Sequence, residues 1–203
     1  MSNQPTPQNL TIGILALQGA YEAHAKILST LGIATKLLRT PDELMNLDGL
    51  IIPGGESTTM LKFLERNQFL DALTAFVQTT PTFGTCAGAI LLAKDVQHPA
   101  QTSLAAMDIT VERNAYGRQI DSTILTAPTK LRGGPLEMVF IRAPRITRTG
   151  ARVEILATRD GSPVLVREGH LLAATFHPEL THDSRVHQLF LSIVRQHYAA
   201  AAH

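Results

Sequence analysis

A single cysteine, Cys86, occurs among 203 residues, so no internal disulfide can form and a reducing compartment fits the chain. Charge of one sign is just as scarce. Eighteen Lys and Arg stand against seventeen Asp and Glu, a formal net charge of +1, which offers no footprint for nucleic acid or an anionic membrane. No apolar run approaches the ~18 residues that a membrane span requires. The polar stretch 1–9 has neither the basic nor the apolar region of a signal peptide. Neither a Gly-x-Gly-x-x-Gly nor a Walker loop stands in the right context, so no nucleotide site is indicated. Repeats and low-complexity linkers are absent as well. These absences lead to the expectation of a soluble, cytoplasmic, single-domain protein without metal or cofactor. The domain is expected over 10–198, with a flexible tail at 1–9 and a short tail at 199–203.

What is present alternates. Leu10–Leu17 is a continuous apolar run, as expected for a strand covered on both faces. Ala20–Leu31 has helical spacing and ends at Gly32. Ile33–Leu38 and Leu47–Pro53 are further strands, with a short helix opened by Thr40-Pro41-Asp42-Glu43 between them. Ser57–Val77 reads as two helical pieces broken near Asn67, and a strand then runs into Cys86. Strands alternating with helices predict a mostly parallel, flavodoxin-like α/β sheet flanked by helices, with reactive loops at the strands' carboxyl ends. The second half is β-rich over Ile109–Val111, Glu137–Ile141, Val153–Ala157, Pro163–Val166 and Leu171–Phe176, which predicts antiparallel strands added to that sheet. Ser184–His197 is an amphipathic closing helix.

Two stretches carry chemistry. In Gly84-Thr85-Cys86-Ala87-Gly88, a nucleophile on a strand-to-helix turn needs small neighbours two positions either side. The helix that follows aims its free N–H groups at the sulfur, which favours thiolate. A lone cysteine is otherwise often a small buried hydrophobe, so a histidine partner is required. Thr175-Phe176-His177-Pro178-Glu179 supplies one at another strand end. With i and i+2 on one side of an extended chain, Glu179 can hold the far nitrogen of His177. Nucleophile, base and orienting acid are then Cys86, His177 and Glu179. His24, His98, His170, His182, His187, His197 and His203 form no zinc-like arrangement and are read as structural.

Gly54-Gly55-Glu56-Ser57 is either a tight turn with Ser57 as helix cap or an oxyanion hole, in which the Gly55 and Ala87 N–H groups would be the donors. Arg113 and Arg142, in Glu112-Arg113-Asn114 and Phe140-Ile141-Arg142-Ala143-Pro144, are surface arginines or a bidentate grip on a substrate carboxylate.

These pieces, with Leu15-Ala16-Leu17-Gln18-Gly19, Pro53–Met60, Met107-Asp108-Ile109, Arg113–Gln119 and Phe176–Thr181, occur in one order along nearly the whole chain. The chain so resembles the glutaminase subunits of pyridoxal phosphate synthase, within the class I (triad) glutamine amidotransferases. The resemblance implies that Cys86 attacks the side-chain amide of L-glutamine, His177 shuttles the proton and Glu179 orients the imidazole. It implies that Gly55, Glu56, Ser57, Arg113, Ile141 and Arg142 hold glutamine. It also implies a partner, a (β/α)₈-barrel synthase that takes up the ammonia and makes pyridoxal phosphate from a pentose phosphate and a triose phosphate. Twelve synthase subunits would carry up to twelve glutaminases. Three other readings are a glutaminase serving histidine or nucleotide synthesis, a cysteine hydrolase or chaperone with a similar elbow, and an inactive subunit that only binds. The chain departs from the family's usual pattern at Ala105-Ala106, where glycine is usual, at Ser122–Thr126, and at the loop Lys130–Pro135.

Overall fold

The computed structural model describes residues 10–66, 68–113 and 122–201. The first half alternates as expected: β1 (Thr11–Leu15), α1 (Tyr21–Thr30), β2 (Ala34–Leu38), β3 (Gly49–Ile52), α2 (Ser57–Arg66), α3 (Phe69–Thr79), β4 (Thr82–Thr85) and α4 (Ala87–Leu92). Thr40 and Glu43 make the capping box that their spacing predicts, opening one 3₁₀ turn at Pro41–Leu44. The second half contains β5 (Ala93–Gln97), β6 (Met107–Glu112), β7 (Thr123–Ala127), β8 (Leu136–Phe140), β9 (Arg145–Thr149), β10 (Glu154–Arg159), β11 (Ser162–Glu168), β12 (Leu171–Ala174) and α5 (Arg185–Ala201).

The central sheet has the order β10-β11-β12-β4-β3-β1-β2. Five neighbouring strands from β12 to β2 are parallel, and β11 and β10 extend the β12 edge antiparallel. Two expectations for the second half need correcting. Leu171–Ala174 is parallel to β4 and lies inside the sheet. Two of the β-rich runs, Ile109–Val111 and Glu137–Ile141, do not join that sheet: β6 forms a three-stranded sheet with β5 and β9, and β8 a hairpin with β7. The strands at 93–97, 123–127 and 145–149 were not legible in the sequence because they are short and expose alternate or successive residues, polar ones in the first and third and Ile124 with Thr126 in the second. α5 runs to Ala201, through residues expected to be a tail. The tail 1–9 and the break at Asn67 fall outside the described residues.

Alternation along buried strands sorts the apolar runs into two cores. Leu50 and Ile52 face α2 and α3 with Met60, Leu64, Leu73 and Val77. Ile51, Phe83 and Leu172 face the other way, onto Leu28 of α1 and Val186, Phe190 and Val194 of α5. Each such fully buried side chain contributes about 1.5–3 kcal/mol. The two layers clamp the carboxyl ends of β3, β4 and β12, where the chemistry-bearing loops emerge.

The atypical positions have structural consequences. Ala105 adopts φ 50°, a left-handed conformation that glycine takes more cheaply. The loop 130–135 is anchored by Arg185 at the start of α5, whose guanidinium donates to the carbonyls of Arg132, Gly134 and Pro135 at 3.1, 2.8 and 2.7 Å.

Candidate active site

β4 delivers Cys86 to the centre of the carboxyl edge, where its N–H donates to the Ala174 carbonyl of β12 at 2.8 Å. Cys86 takes φ 48°, ψ −102°, a conformation that costs a non-glycine residue about 1–3 kcal/mol and persists only where the surroundings enforce it. The enforcement is steric. A Cβ on Gly84 would lie 2.5 Å from the Gly88 carbonyl oxygen, and one on Gly88 would lie 1.9 Å from that of Ile52. The first turn of α4 thus rests directly on β4 and on the end of β3. Gly88→Ala is accordingly expected to cost at least about 1–3 kcal/mol, the usual penalty of overpacking, read as a lower urea midpoint. A midpoint equal to the parent's contradicts this packing.

His177 follows β12, its N–H donating to the Val139 carbonyl of β8 at 2.8 Å. The residues after it form a 3₁₀ turn, Pro178–Leu180, rather than the extended chain expected from the sequence. This turn brings Glu179 round so that His177 Nδ1 donates to Glu179 Oε1 at 2.7 Å. With Nδ1 carrying that proton, Nε2 is the nitrogen left for the thiol. Burial disfavours the charged imidazole, but hydrogen bonds and charge interactions with Cys86 and Glu179 outweigh it and raise the pKa of His177 to about 10. The ring therefore holds a proton at neutral pH. Cys86, His177 and Glu179 are all buried, at 6, 7 and 5 % exposure.

Gly54 has a part the sequence did not disclose. A Cβ there would meet His177 Cε1 at 2.4 Å and Cys86 Cβ at 3.3 Å, so only glycine lets the loop pass beside both groups. Its carbonyl accepts from the Ala20 N–H at 3.4 Å, and Gln18 Nε2 donates to the Glu56 carbonyl. The Gln18-Gly19-Ala20 turn thus straps the Gly54-Gly55-Glu56 loop. Because a trans peptide opposes its C=O and N–H, the Gly55 N–H points away from Ala20.

Ser57 is not the helix cap. It is the first residue of α2, and Glu56 does the capping, its carboxylate accepting from the Thr58 and Thr59 N–H groups at 3.0 and 2.7 Å. Partial burial opposes the charge, yet these bonds and the Thr59 hydroxyl lower the Glu56 pKa to about 2. Ser57 Oγ instead donates to Gln101 Oε1 at 3.0 Å. Arg113 leans over the same helix start, 2.6 Å from Thr58 Oγ1 and 3.5 Å from Glu56 Oε1. Its Nε is buried without a hydrogen-bond partner. Arg142 sits at φ 45° just past β8. The rest of the Arg-Asn-x-x-Gly-Arg-Gln motif, Asn114–Gln119, lies outside the described residues.

A cleft of about 190 Å³ opens between these loops, lined by Gly55, Glu56, Ser57, Cys86, Arg113, Ile141, Arg142 and His177, with Ile90 of α4 in addition. Every residue expected to hold glutamine lines it. Ala87 and Glu179 stand behind, the first as the residue whose helix-start N–H lacks an intrahelical acceptor, the second as support for His177. The cleft pairs a sulfur nucleophile and a proton carrier with two guanidinium groups and one carboxylate. That set suits a small zwitterion carrying an acyl-type carbon.

Comparison with known proteins agrees with this chemistry. Residues 14–196 match the SNO glutamine amidotransferase family. A pyridoxal 5'-phosphate synthase subunit PdxT of Koribacter versatilis is 59% identical over 186 residues, covering 92% of this chain and 96% of the relative. The PdxT of Bacillus licheniformis is 46% identical, covering 93% and 96%. A crystal structure of a glutamine amidotransferase superposes with a TM-score of 0.83 at 44% identity, covering 90% of this chain and 98% of the other.

Proposed function

The chain belongs to the SNO glutamine amidotransferase family, and from that premise we propose that it hydrolyses glutamine at Cys86 as the glutaminase subunit of a pyridoxal 5'-phosphate synthase. The observation that carries the reading is the Cys86–His177–Glu179 constellation at the floor of a cleft lined by Arg113, Arg142 and Glu56.

Glutamine enters with its amino-acid end toward the charged rim, the arginines taking its carboxylate and Glu56 drawing its ammonium. Its side-chain amide then reaches Cys86. The sulfur attacks the amide carbon, and the oxygen that gains charge is received by the Gly55 and Ala87 N–H groups. His177 gives its proton to the departing nitrogen, which leaves as ammonia, and a glutamyl thioester remains. Water, deprotonated by His177, then attacks the thioester. Glutamate leaves and the thiolate–imidazolium pair is restored. Glu179 keeps Nδ1 protonated throughout, so that Nε2 does the exchange.

The synthase names of the relatives support a partner that consumes the ammonia. That partner is a (β/α)₈ barrel in a complex of twelve and twelve, joining the nitrogen to a pentose phosphate and a triose phosphate. Operation in the cytoplasm belongs with this reading, since a lone thiol stays reduced there. A glutaminase running unpartnered releases ammonia into water, so the rate is coupled to docking, and the Gly54-Gly55 peptide is the element that can respond. The test is glutamate release at saturating glutamine, with and without a synthase. A rise of ~10²–10³ on addition, the worth of one oxyanion donor, is expected. No release under either condition contradicts the glutaminase reading, and equal rates contradict the coupling.

A further inference from the structure

Two histidines dismissed as structural in the sequence lie fully buried behind the triad, His24 on α1 and His187 on α5. His24 Nε2 stands 3.4 Å from Glu179 Oε2, the carboxylate oxygen that His177 does not use. The same nitrogen is 3.2 Å from Thr85 Oγ1, next to the nucleophile. On the ring's other side, His24 Nδ1 is 2.9 Å from His187 Nε2. The remaining nitrogen, His187 Nδ1, is buried with no hydrogen-bond partner.

These contacts decide where the protons are. A neutral imidazole has one donor and one acceptor. If His24 carried its proton on Nδ1, it would donate to His187 Nε2. The His187 proton would then sit on the partnerless Nδ1, and the His24 Nε2 lone pair would face a carboxylate. A buried unpaired donor costs about 1–3 kcal/mol, before that repulsion is counted. With the proton on His24 Nε2, both ring N–H donors face an acceptor. His187 Nε2 donates to His24 Nδ1, His24 Nε2 donates to Thr85 Oγ1 with the otherwise unpartnered Glu179 Oε2 facing it at 3.4 Å, and the one ring nitrogen left unpartnered carries a lone pair. Both rings stay neutral: burial first, with charge repulsion from the other histidines for His24, holds the His24 pKa well below its ordinary value and that of His187 at about 4. Nor is this a metal site. The two histidines point at each other across 2.9 Å, and no metal-holding group of three or more such side chains occurs among the described residues.

We propose that His24 is a positioning residue of the glutaminase site, holding the second oxygen of Glu179 from the side opposite His177, with His187 fixing its tautomer. The inference rests on the triad proposed above. It follows from a need that the triad alone does not meet. Glu179 is fully buried at its side chain, and one hydrogen bond leaves its carboxylate free to pivot about Oε1. A neutral N–H facing Oε2 at 3.4 Å, where that oxygen has no hydrogen-bond partner of its own, opposes the pivot without adding a positive charge that would compete with the proton on His177.

Glutamate release by the full chain with its synthase tests this in three forms, the parent, His24→Phe and His24→Gln. Phenylalanine keeps the ring volume and loses the donor, whereas glutamine carries an amide N–H close to the place of Nε2. The expected result is a kcat about 10–100-fold lower in His24→Phe, the range for outer-shell partners that orient ligands at metal sites, with KM for glutamine unchanged and most of the rate restored in His24→Gln. Parent-like kcat in His24→Phe, a change confined to KM, or equal loss in both variants overturns the proposal. Nitrogen NMR of the parent's histidines gives a readout independent of how the variants fold. A neutral His24 protonated at Nε2 is expected, and one protonated at Nδ1 overturns it. A parent that releases no glutamate, with His24 in the expected tautomer, points instead to failure of the glutaminase reading.

Discussion

Cys86→Ser is expected to fold like the parent and to release no glutamate above background, a fall of ~10⁶, as when the nucleophile of a triad is removed. Sulfur and oxygen differ little in size, so the elbow, closed by Gly84 and Gly88, accepts either. Their chemistry differs greatly. A serine hydroxyl is a weak nucleophile until a base removes its proton, and its pKa lies far above that of a thiol. Cys86 is the first of the groups that raise the pKa of His177 to about 10, and serine, which stays neutral, cannot form the thiolate–imidazolium pair that this site is built around. Steady-state assay with synthase present, beside a denaturation curve, separates chemistry from folding. Turnover by the serine variant within an order of magnitude of the parent contradicts the nucleophile assignment.

Glu179→Gln is expected to lower kcat by up to ~10⁴, as loss of the orienting acid does in a serine triad, while KM for glutamine stays near the parent's. The amide is nearly isosteric but can turn its N–H toward His177 Nδ1, which forces the wrong tautomer. A pH effect accompanies the loss. The folded-state pKa of His177 is raised from 6.5 to about 10, with hydrogen bonding and charge from Glu179 among the causes. A raised pKa contributes stability that is complete below pH 6.5 and lost as pH rises through about 10, because the folded state binds the proton more tightly than the unfolded state. Cys86, the first of the raising causes, remains in the variant, so the variant should lose part of this alkaline decline in urea midpoint. An unchanged decline, or a large rise in KM at constant kcat, contradicts the role given to Glu179.

The sequence exposed the parts of the molecule that obey local rules. The β1 and β3 strands lie in continuous apolar runs bounded by turn residues, and the elbow glycines sit where a Cβ would strike the backbone of Gly88 or Ile52. Both patterns are set by neighbours in sequence or by hard sterics. Beyond the Cys86–His177 pairing, which the need of a nucleophile for a base suggests, partnerships across long separations were not legible. Nothing near Ala93–Gln97 says that it pairs with Met107–Glu112 in a separate sheet, and β-rich texture does not reveal which sheet a strand joins. Ser57 has the composition of a helix cap, but Glu56 reaches the two N–H groups first. His24 and His187 are 163 positions apart, and no spacing argument joins them. A signal for their burial was nonetheless present. Tyr21, His24, Leu28 and Leu31 share one face of α1, and His187 stands between Val186 and Phe190 on the apolar side of α5, with its ring 5.9 Å from Phe83. A histidine in the apolar stripe of a helix has to find polar partners, and here they are Thr85 and the other histidine, beside the Glu179 carboxylate.

The central claim is that glutamine reacts at Cys86, and covalent trapping addresses it most directly. The full chain with its synthase is treated with a glutamine analogue bearing an electrophilic carbon in place of the amide, and the adduct is located by peptide mass. One equivalent on Cys86, suppressed by excess glutamine and abolished in Cys86→Ser, is the predicted result. Label on any other residue, or labelling of Cys86 that glutamine does not slow, contradicts the account.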